Sequence, residues 1–317
     1  MTKLHLFSKR KKERVLLTEF IYSFITKSKR GNDYKRGYRN LANHIKNFQT
    51  ETGLVLYLDN ITEQILEEFI YYLKSNGRIK GNKNNSGLMT NTIRTLVWKL
   101  KFILKKAEQK YNFANIDFNF QIEKEETNAV YLTLKELDRI NELKNLSKEA
   151  RAVRDRFLLG CFTALRYSDY ARITSKNIIG GNIEIKTQKT GIRVVIPMHK
   201  IVRQILSRNK GEFPPLPSQQ SFGKTIKRIC KKAAINSEIL QERTIGLKTV
   251  RKRVKKYTLV SSHTARRTGA TNMYLAKIPT FRIMLLTGHN TEQSFFKYIR
   301  IDKEENAKIL SEHIFFK

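Results

Sequence analysis

Apolar residues recur every three or four positions through the first third of the chain, and this spacing predicts a series of amphipathic helices. A third helix is expected from Thr62, because a capping threonine there precedes a Glu-Gln pair and an apolar run. A Gly- and Asn-rich stretch at 75–87 predicts an exposed loop after it. The first two apolar stripes are Leu16, Phe20, Phe24 and Ile25, then Tyr38, Leu41, Ile45 and Phe48.

A fourth helix, starting near Asn91, has two different faces. One face is apolar and should be buried, while the other carries cations around a tryptophan. The charged face would suit a DNA groove and its phosphates, and it would equally suit a solvated surface with the indole at its edge. Both interpretations stay open. The apolar face is Ile93, Val97, Leu100 and Leu104, and the charged face is Arg94, Trp98, Lys101 and Lys105.

The second half of the sequence predicts a mixed α/β domain. Helical periodicity runs from Leu132 to about Leu165, and two short alternating strands at 182–187 and 192–197 flank a Lys-Thr-Gly turn. The very basic stretch 243–260 is typical of a hairpin or a long loop. The whole chain is therefore expected to be mainly α with a small β-sheet.

Length predicts two domains, since one ordinary core accounts for roughly 150 residues, and the acidic break at 113–130 indicates the boundary between them. We expect a basic N-terminal arm at 1–12, a helical domain at 13–112, a linker at 113–130 and a second domain at 131–317 that ends in a tail helix.

The charge balance narrows the choice of partner. Lys and Arg number 62 against 28 Asp and Glu, a formal net charge of +34, which favours a polyanion because each neutralised phosphate releases counterions. Membrane lipid is the other polyanion, but no apolar run approaches the ~20 residues that span a bilayer, and no signal peptide opens the chain. We expect a cytoplasmic protein that binds nucleic acid, with Cys161 and Cys230 as small core residues.

The sequence lacks the ligand sets of metal-dependent nucleases. It contains no H-E-x-x-H, and the nearest carboxylate pair, Asp169 with Glu184, is expected on helix and strand surfaces. The F-G-K-T run at 222–225 has Ser218 where a phosphate-binding loop needs glycine. No metal and no organic cofactor is expected.

Residues able to carry chemistry occur in a few short motifs of the second half. A-L-R-Y-S-D follows an apolar helix, K-T-Q-K-T-G forms the strand turn, S-S-H-T-A-R-R puts a histidine and an arginine one helical turn apart, and T-G-H-N precedes F-F-K-Y-I-R. Any one of these residues alone would more often be structural. The motifs supply Arg166, Lys189, His263, Arg266, His289 and Tyr298.

The order and spacing of these residues resemble the active site of the tyrosine recombinases, the lambda-integrase-type family of site-specific recombinases. In that family Arg, Lys, H-x-x-R, G-H and Tyr follow one another, with the tyrosine nine residues after the G-H histidine, and here 298 − 289 = 9. The resemblance covers nearly the whole chain, and its wording is most similar to recombinases of Bacteroides-type bacteria. It implies a helical SAM-like core-binding domain in front of a mixed α/β catalytic domain.

The resemblance also implies a reaction that needs neither metal nor ATP. Tyr298 would attack the scissile phosphate and hold it as a 3′-phosphotyrosyl ester, while Arg166 and Arg266 clamp the phosphate oxygens. A homotetramer on double-stranded DNA with specific sites would then integrate, excise or invert a segment of a mobile genetic element. The supporting roles are proton acceptor for His263, proton donor to the departing 5′ oxygen for Lys189, and hydrogen bond to the phosphate for His289.

Two alternatives stay open at this point. A type IB topoisomerase uses a similar residue set but reseals the same strand, and a catalytically silent DNA-binding protein could have kept the fold. About a dozen residues precede the first helix, so the arm-binding domain of larger integrases is expected to be absent. After Tyr298, an amphipathic tail helix is expected to direct Ile309, Leu310 and Ile314 either to a neighbouring protomer or to its own domain.

Overall fold

The computed structural model describes residues 14–77, 87–111, 121–126, 129–301, 303–312 and 314–316. Two compact units are present: the first comprises Met1–Thr127 and Gln241–Lys252, and the second comprises Asn128–Leu240 and Arg253–Lys317. The predicted arm at 1–12 and most of the predicted linker at 113–130 lie outside the described residues, and the domain boundaries stay a prediction. None of the helices in the described ranges is both long enough and apolar enough to cross a bilayer.

The described part of the first unit is built on four helices whose apolar stripes meet in one core. The second predicted stripe and the apolar face of the fourth helix are buried as predicted. In the first stripe Leu16 and Phe24 are only half-buried, and Leu17 and Ile21 fill the core instead. Thr62 caps the third helix by accepting a hydrogen bond from the backbone N–H of Ile65. The helices are α1 (Leu17–Lys27), α2 (Asn32–Thr52), α3 (Glu63–Ser75) and α4 (Thr90–Tyr111).

The second unit has one main hydrophobic core, to which its helices and a small antiparallel sheet of order β1-β2-β3 contribute. The predicted mixed α/β character and the two predicted strands are confirmed, whereas β1 was not predicted. Its elements are α5 (Leu134–Glu142), α6 (Lys148–Thr163), α7 (Tyr167–Tyr170), β1 (Ile178–Ile179), β2 (Asn182–Lys186), β3 (Arg193–Pro197), α8 (Lys200–Arg208), α9 (Gln219–Lys232), α10 (Ser262–Leu275), α11 (Thr280–Thr287), α12 (Glu292–Phe296) and α13 (Lys303–Ser311).

The prediction of one continuous helix from Leu132 to about Leu165 is wrong. The chain leaves the helix after α5, passes through Asn145 at a positive φ of 57°, and restarts at Ser147. The Ser147 side chain caps α6 by accepting a hydrogen bond from the backbone N–H of Ala150. A short polar turn therefore separates two helices whose apolar periodicity reads as continuous.

The basic stretch near 243–260 forms a hairpin, one of the two predicted alternatives. Its strands are β4 (Glu238–Ile245) and β5 (Lys248–Lys255). The outer part of this hairpin, Gln241–Lys252, belongs to the first unit. There the backbone N–H of Gly246 donates to the carbonyl of Leu88, at 2.9 Å.

Two glycines allow α6, α7 and α10 to pack closely in the second unit. A Cβ at Gly160 would lie 2.7 Å from the ring of Tyr170 and 3.0 Å from the Cβ of Ala265. A Cβ at Gly269 would lie 2.3 Å from the carbonyl oxygen of Cys161. These separations are shorter than van der Waals contact, so a side chain at either position would push the helices apart. Cys161 itself is buried, as is Cys230, which confirms both as core residues.

The close packing can be tested by adding one methyl group. Gly269→Ala should lower the free energy of unfolding by about 1–3 kcal/mol, because the new Cβ overpacks the contact between α10 and α6. Gly223→Ala in α9 is the matched control, since a Cβ there meets nothing within 4 Å. The control should be neutral or stabilising by up to about 1 kcal/mol. Urea unfolding followed by circular dichroism measures both, and equal stabilities would contradict the proposed contact.

Candidate active site

The six residues singled out by the sequence motifs all lie in the second unit. Contacts and charge–charge interactions within that unit connect all six. Separate elements therefore converge on one place. Arg166 is the N-cap of α7, Lys189 lies on the turn between β2 and β3, His263 and Arg266 are in α10, His289 follows α11, and Tyr298 follows α12.

Arg266 is the central cation of this group and is fully buried. Its Nη1 donates to two backbone carbonyls, that of Ala164 at 3.0 Å and that of Thr287 at 2.9 Å. Its guanidinium carbon lies 5.0 Å from the centroid of the Tyr298 ring. Burial, followed by the charge of Arg166, lowers the pKa of Arg266 to about 10, so the group stays charged at neutral pH. Arg266 therefore ties α6, α10 and α11 together while holding a positive charge against the tyrosine.

The hydrogen bonds of His289 determine which of its nitrogens carries the proton. Nε2 lies 2.8 Å from Nη2 of Arg266, and a guanidinium only donates, so Nε2 accepts. Nδ1 lies 2.7 Å from the hydroxyl of Thr287, and that hydroxyl donates to the carbonyl of Ile283 at 2.8 Å. The proton consequently resides on Nδ1 and is donated to Thr287.

His289 is also held neutral and close to the tyrosine. Burial, followed by the charges of Arg266 and Arg166, lowers the pKa of His289 to about 3. The imidazole and the phenol ring of Tyr298 have centroids 4.9 Å apart. Gly288, at a φ of 66°, ends α11 in the left-handed conformation that turns the chain toward this contact.

His263 is less buried than His289, although its ring is still partly desolvated. Desolvation and four neighbouring cations lower its pKa, so the imidazole is neutral at pH 7 and can accept a proton. The cations, in order of decreasing effect, are Arg267, Arg266, Arg166 and Lys189.

The turn that carries Lys189 is fixed by a buried carboxylate. Asp169 is fully buried, and its Oδ1 accepts a hydrogen bond from the backbone N–H of Gln188 at 2.7 Å. The expectation that Asp169 lies on a helix surface is therefore wrong, because the short helix α7 turns this side chain inward. Glu184 does lie on the sheet, where it pairs with Arg193. Lys189 itself is exposed at the tip of the turn.

The site contains arginine N–H groups that lack an acceptor. Nη1 of Arg166 and Nε of Arg266 are buried without a hydrogen-bond partner. Within the described ranges, no carboxylate lies within ion-pair distance of Arg166, Lys189 or Arg266. Unpaired buried donors are costly, so this arrangement is suited to an anion that supplies the missing oxygens.

Two residues of the site were missed by the sequence reasoning. Asp169 braces the Lys189 turn, and Thr287 fixes the tautomer of His289. Each stands next to a recognised motif residue, Asp169 inside L-R-Y-S-D and Thr287 directly before G-H. That adjacency was the available signal, but the direction of each side chain depends on tertiary packing.

The charged stripe of the fourth helix lies in the first unit, on the side of α4 next to its buried face. Trp98 is 63% exposed and stacks on Phe102, with ring centroids 6.1 Å apart. Nε of Arg94 donates to the carbonyl of Ile122 at 3.1 Å. Lys101 is half-buried and Lys105 is exposed. The stripe is thus a solvent-facing surface that combines cations with an accessible indole.

The tail helix after Tyr298 corresponds to α13, and its predicted apolar residues face solvent. Ile309 is 43% exposed and Leu310 is 40% exposed, while Ile314, in a following 3₁₀ turn, is 86% exposed. The three side chains are therefore accessible, and their packing against a neighbouring protomer stays a prediction.

Two family profiles match the chain. Residues 16–122 match the phage integrase SAM-like domain, and residues 130–305 match the phage integrase family. No curated protein sequence matches the chain.

Several solved structures share the fold. A lambda integrase tetramer bound to a Holliday junction is 16% identical, over 91% of this chain and 78% of that chain, with a TM-score of 0.64. The Tn1549 transposon integrase in complex with circular intermediate DNA is 16% identical, over 94% and 100%, with a TM-score of 0.62. The XerH site-specific recombinase bound to its difH substrate is 17% identical, over 93% and 84%, with a TM-score of 0.57. At these identities the likeness establishes the fold alone.

The tautomer of His289 can be measured directly. Nitrogen NMR of protein labelled with ¹⁵N-histidine should show a neutral ring, protonated on Nδ1, down to about pH 4. Thr287→Val removes the acceptor of the Nδ1 proton and should raise the population of the Nε2–H tautomer. His289→Gln assigns the resonance. A wild-type ring that titrates near its ordinary pKa, or that carries its proton on Nε2, would contradict the assignment.

The lowered pKa of His289 also fixes the sign of a pH effect on stability. Unfolded His289 takes up its proton near pH 6.5, whereas the folded protein does so only near pH 3. Neutral His289 therefore contributes to the free energy of unfolding in full above pH 6.5. This contribution is lost as the pH falls toward 3, by up to about 1.4 kcal/mol per pH unit. Urea titrations between about pH 6 and pH 4 should therefore show a steeper loss for wild type than for His289→Gln. Parallel losses in the two proteins would count against the lowered pKa.

Proposed function

The chain belongs to the phage integrase family, and from this premise we propose how its residues divide the work of the reaction. The protein is a site-specific tyrosine recombinase, an enzyme that cleaves and rejoins DNA strands through a covalent bond to a tyrosine. The type IB topoisomerase and the catalytically silent DNA-binding protein are not favoured by these matches.

Tyr298 is the proposed nucleophile. Its Oη attacks the scissile phosphorus, so a bond from phosphorus to Oη forms while the bond from phosphorus to the 5′ oxygen breaks. His263 receives the phenolic proton, and Lys189 supplies a proton to the departing 5′ oxygen. Attack by the 5′ hydroxyl of a partner strand reverses these steps and restores a phosphodiester. The phosphotyrosyl bond conserves the energy of the broken bond, so no ATP is required.

Arg166 and Arg266 are the proposed clamp on the phosphate oxygens, since a guanidinium fork bonds two oxygens and keeps its charge. A direct hydrogen bond from His289 to the phosphate requires a proton on Nε2, the nitrogen that accepts from Arg266 in the described arrangement. We therefore propose that the main role of His289 is to orient Arg266. Donation to the phosphate stays a prediction.

One observation carries this proposal. The phenol ring of Tyr298 lies against both a buried arginine and a neutral histidine, next to arginine N–H groups that have no acceptor. A phosphate bound to those N–H groups would lie beside the tyrosine, and electrostatic stabilisation by fixed cations is the main requirement for its transition state.

The proposed partners are double-stranded DNA with specific recombination sites and three further copies of this chain, as part of a mobile genetic element acting in the cytoplasm. The lambda integrase structure is a tetramer on a Holliday junction, which supports the assembly. The stripe of Arg94, Trp98, Lys101 and Lys105, exposed except for the half-buried Lys101, is proposed to contact DNA phosphates and sugars. The assignment to Bacteroides-type recombinases stays a prediction.

A nicked suicide duplex that carries the junction sequence of the enzyme's own element tests the nucleophile. Wild type should form a denaturant-stable protein–DNA adduct without metal or ATP, and Tyr298→Phe should form none while binding the same duplex. Tyr274→Phe, which removes another tyrosine hydroxyl of the second unit, is the matched control and should behave as wild type. An adduct with Tyr298→Phe, or tight binding by wild type with no adduct, would refute the assignment.

The same assay tests the phosphate clamp. Arg166→Ala should slow adduct formation by about 100-fold or more, with duplex binding retained, because a fixed donor to the developing charge is lost. Arg166 is preferred to Arg266 for this test, since Arg266→Ala would also leave the carbonyls of Ala164 and Thr287 unpaired. A near wild-type rate for Arg166→Ala would remove Arg166 from the site.

A further inference from the structure

One unsatisfied group near Tyr298 is not explained by the proposed clamp. In the described ranges, the arginines with a buried, unpartnered nitrogen are Arg166, Arg266 and Arg300. The first two are assigned to the scissile phosphate. Arg300 follows the nucleophile by two positions, and its buried Nε also lacks an acceptor. A buried guanidinium N–H without a partner indicates that a ligand is missing from that place as well.

The segment that carries Arg300 is fixed against α10. The hydroxyl of Thr271 donates to the carbonyl of Tyr298 at 3.2 Å and accepts from the backbone N–H of Arg300 at 3.2 Å. Ile299, between these two residues, packs on the small core that contains Ala270. Arg300 therefore projects from a braced backbone beside the nucleophile.

Arg267 brings a second guanidinium to the same place. It lies one helical turn before Thr271 on α10, and thus on the helix face to which the Tyr298–Arg300 segment is bonded. Desolvation, followed by the charge of Arg300, lowers the pKa of Arg267, while Tyr298 acts in the opposite direction. The two arginines are therefore close enough to repel each other, and both lie beside the tyrosine.

Nothing in the described ranges neutralises this pair. No carboxylate lies within ion-pair distance of Arg267 or Arg300, and both side chains are half-buried. Two adjacent cations that no described carboxylate neutralises repel each other, and a shared anion would convert that repulsion into attraction. Each guanidinium can offer a pair of parallel N–H groups to phosphate oxygens.

We propose that Arg267 and Arg300 form a second phosphate site, which binds the phosphodiester adjacent to the scissile one on the strand that Tyr298 attacks. The inference rests on the proposed function. Successive phosphates of a strand follow at about 3.4 Å of helical rise, so a strand bound by the first clamp presents another charge close by. Binding both phosphates fixes the strand in register with Tyr298, which is the positioning that an in-line attack requires.

A series of suicide duplexes, each with one neutral methylphosphonate near the cleavage position, tests the site by the rate of adduct formation. With wild type, a methylphosphonate at the scissile phosphate should slow adduct formation. A methylphosphonate at one adjacent position should also slow it, by about 10-fold or more. Arg267→Gln with Arg300→Gln should be similarly slow on the unmodified duplex. For the double variant, the methylphosphonate at this one position should slow adduct formation by less than about 2-fold further. At all other positions, its response should equal that of wild type.

Position-specific coupling separates a phosphate contact from a structural role, because a misfolded variant would be slow on every duplex without losing sensitivity at one position. Arg282→Gln, which removes an exposed cation of α11, is the matched control and should follow wild type throughout. A wild-type rate for the double variant, or undiminished sensitivity at every position, would overturn the second site while leaving the proposed function intact. Absence of any wild-type adduct would instead refute the proposed function, and this inference with it.

Discussion

Buried positive charge around Tyr298, which forms no ion pair with a carboxylate of the described ranges, is the condition that the second unit must accommodate. Arg166, Arg266 and Arg300 keep unsatisfied nitrogens around one tyrosine. Repulsion between Arg166 and Arg266, and between Arg267 and Arg300, opposes folding. The opposing free energy comes from contacts elsewhere in the same unit. The glycine contact between α6 and α10 brings Ala164 within reach of Arg266, and the carbonyls of Ala164 and Thr287 hold that guanidinium in place. Helix packing and backbone carbonyls thus hold the buried guanidinium in place, while the Asp169 carboxylate fixes the turn that carries Lys189.

The same concentration of charge determines how the two histidines behave. Both have lowered pKa values, with desolvation as the first cause and neighbouring arginines as the next. Neutral His289 can accept from Arg266, and neutral His263 can accept a proton. In the proposed mechanism, an arriving phosphate offsets part of the repulsion and makes His263 more basic when Tyr298 must lose its proton. One electrostatic environment therefore serves phosphate binding and proton transfer together.

The features that the sequence predicts correctly are those that depend on local periodicity or on the order of motifs. The stripes of α2 and α4, the Thr62 cap, and the strands around Lys189 follow from residue spacing. The break between α5 and α6 was missed because apolar spacing continues across it, while one residue at positive φ and one serine cap end the helix.

The features that the sequence does not predict depend on contacts between distant residues. Asp169 looks like a surface carboxylate until its partner, the backbone N–H of Gln188, is known. The pairing of Arg267 with Arg300 joins positions 33 residues apart, since 300 − 267 = 33. Both stand inside quoted motifs, but neither is one of the six residues that those motifs supply to the predicted site. The outer part of the β4–β5 hairpin, Gln241–Lys252, belongs to the first unit, and this too depends on contacts between distant residues.

Trp98 is the only tryptophan among the 317 residues, and it stands exposed in the first unit, stacked on Phe102. Tryptophan emission from this protein therefore originates in that unit alone, and the unit that contains Tyr298 contributes none. An accessible indole is sensitive to a nucleic acid placed against it. The chain consequently carries an intrinsic optical probe of the charged stripe on α4, which reports on that surface separately from bond cleavage at the tyrosine.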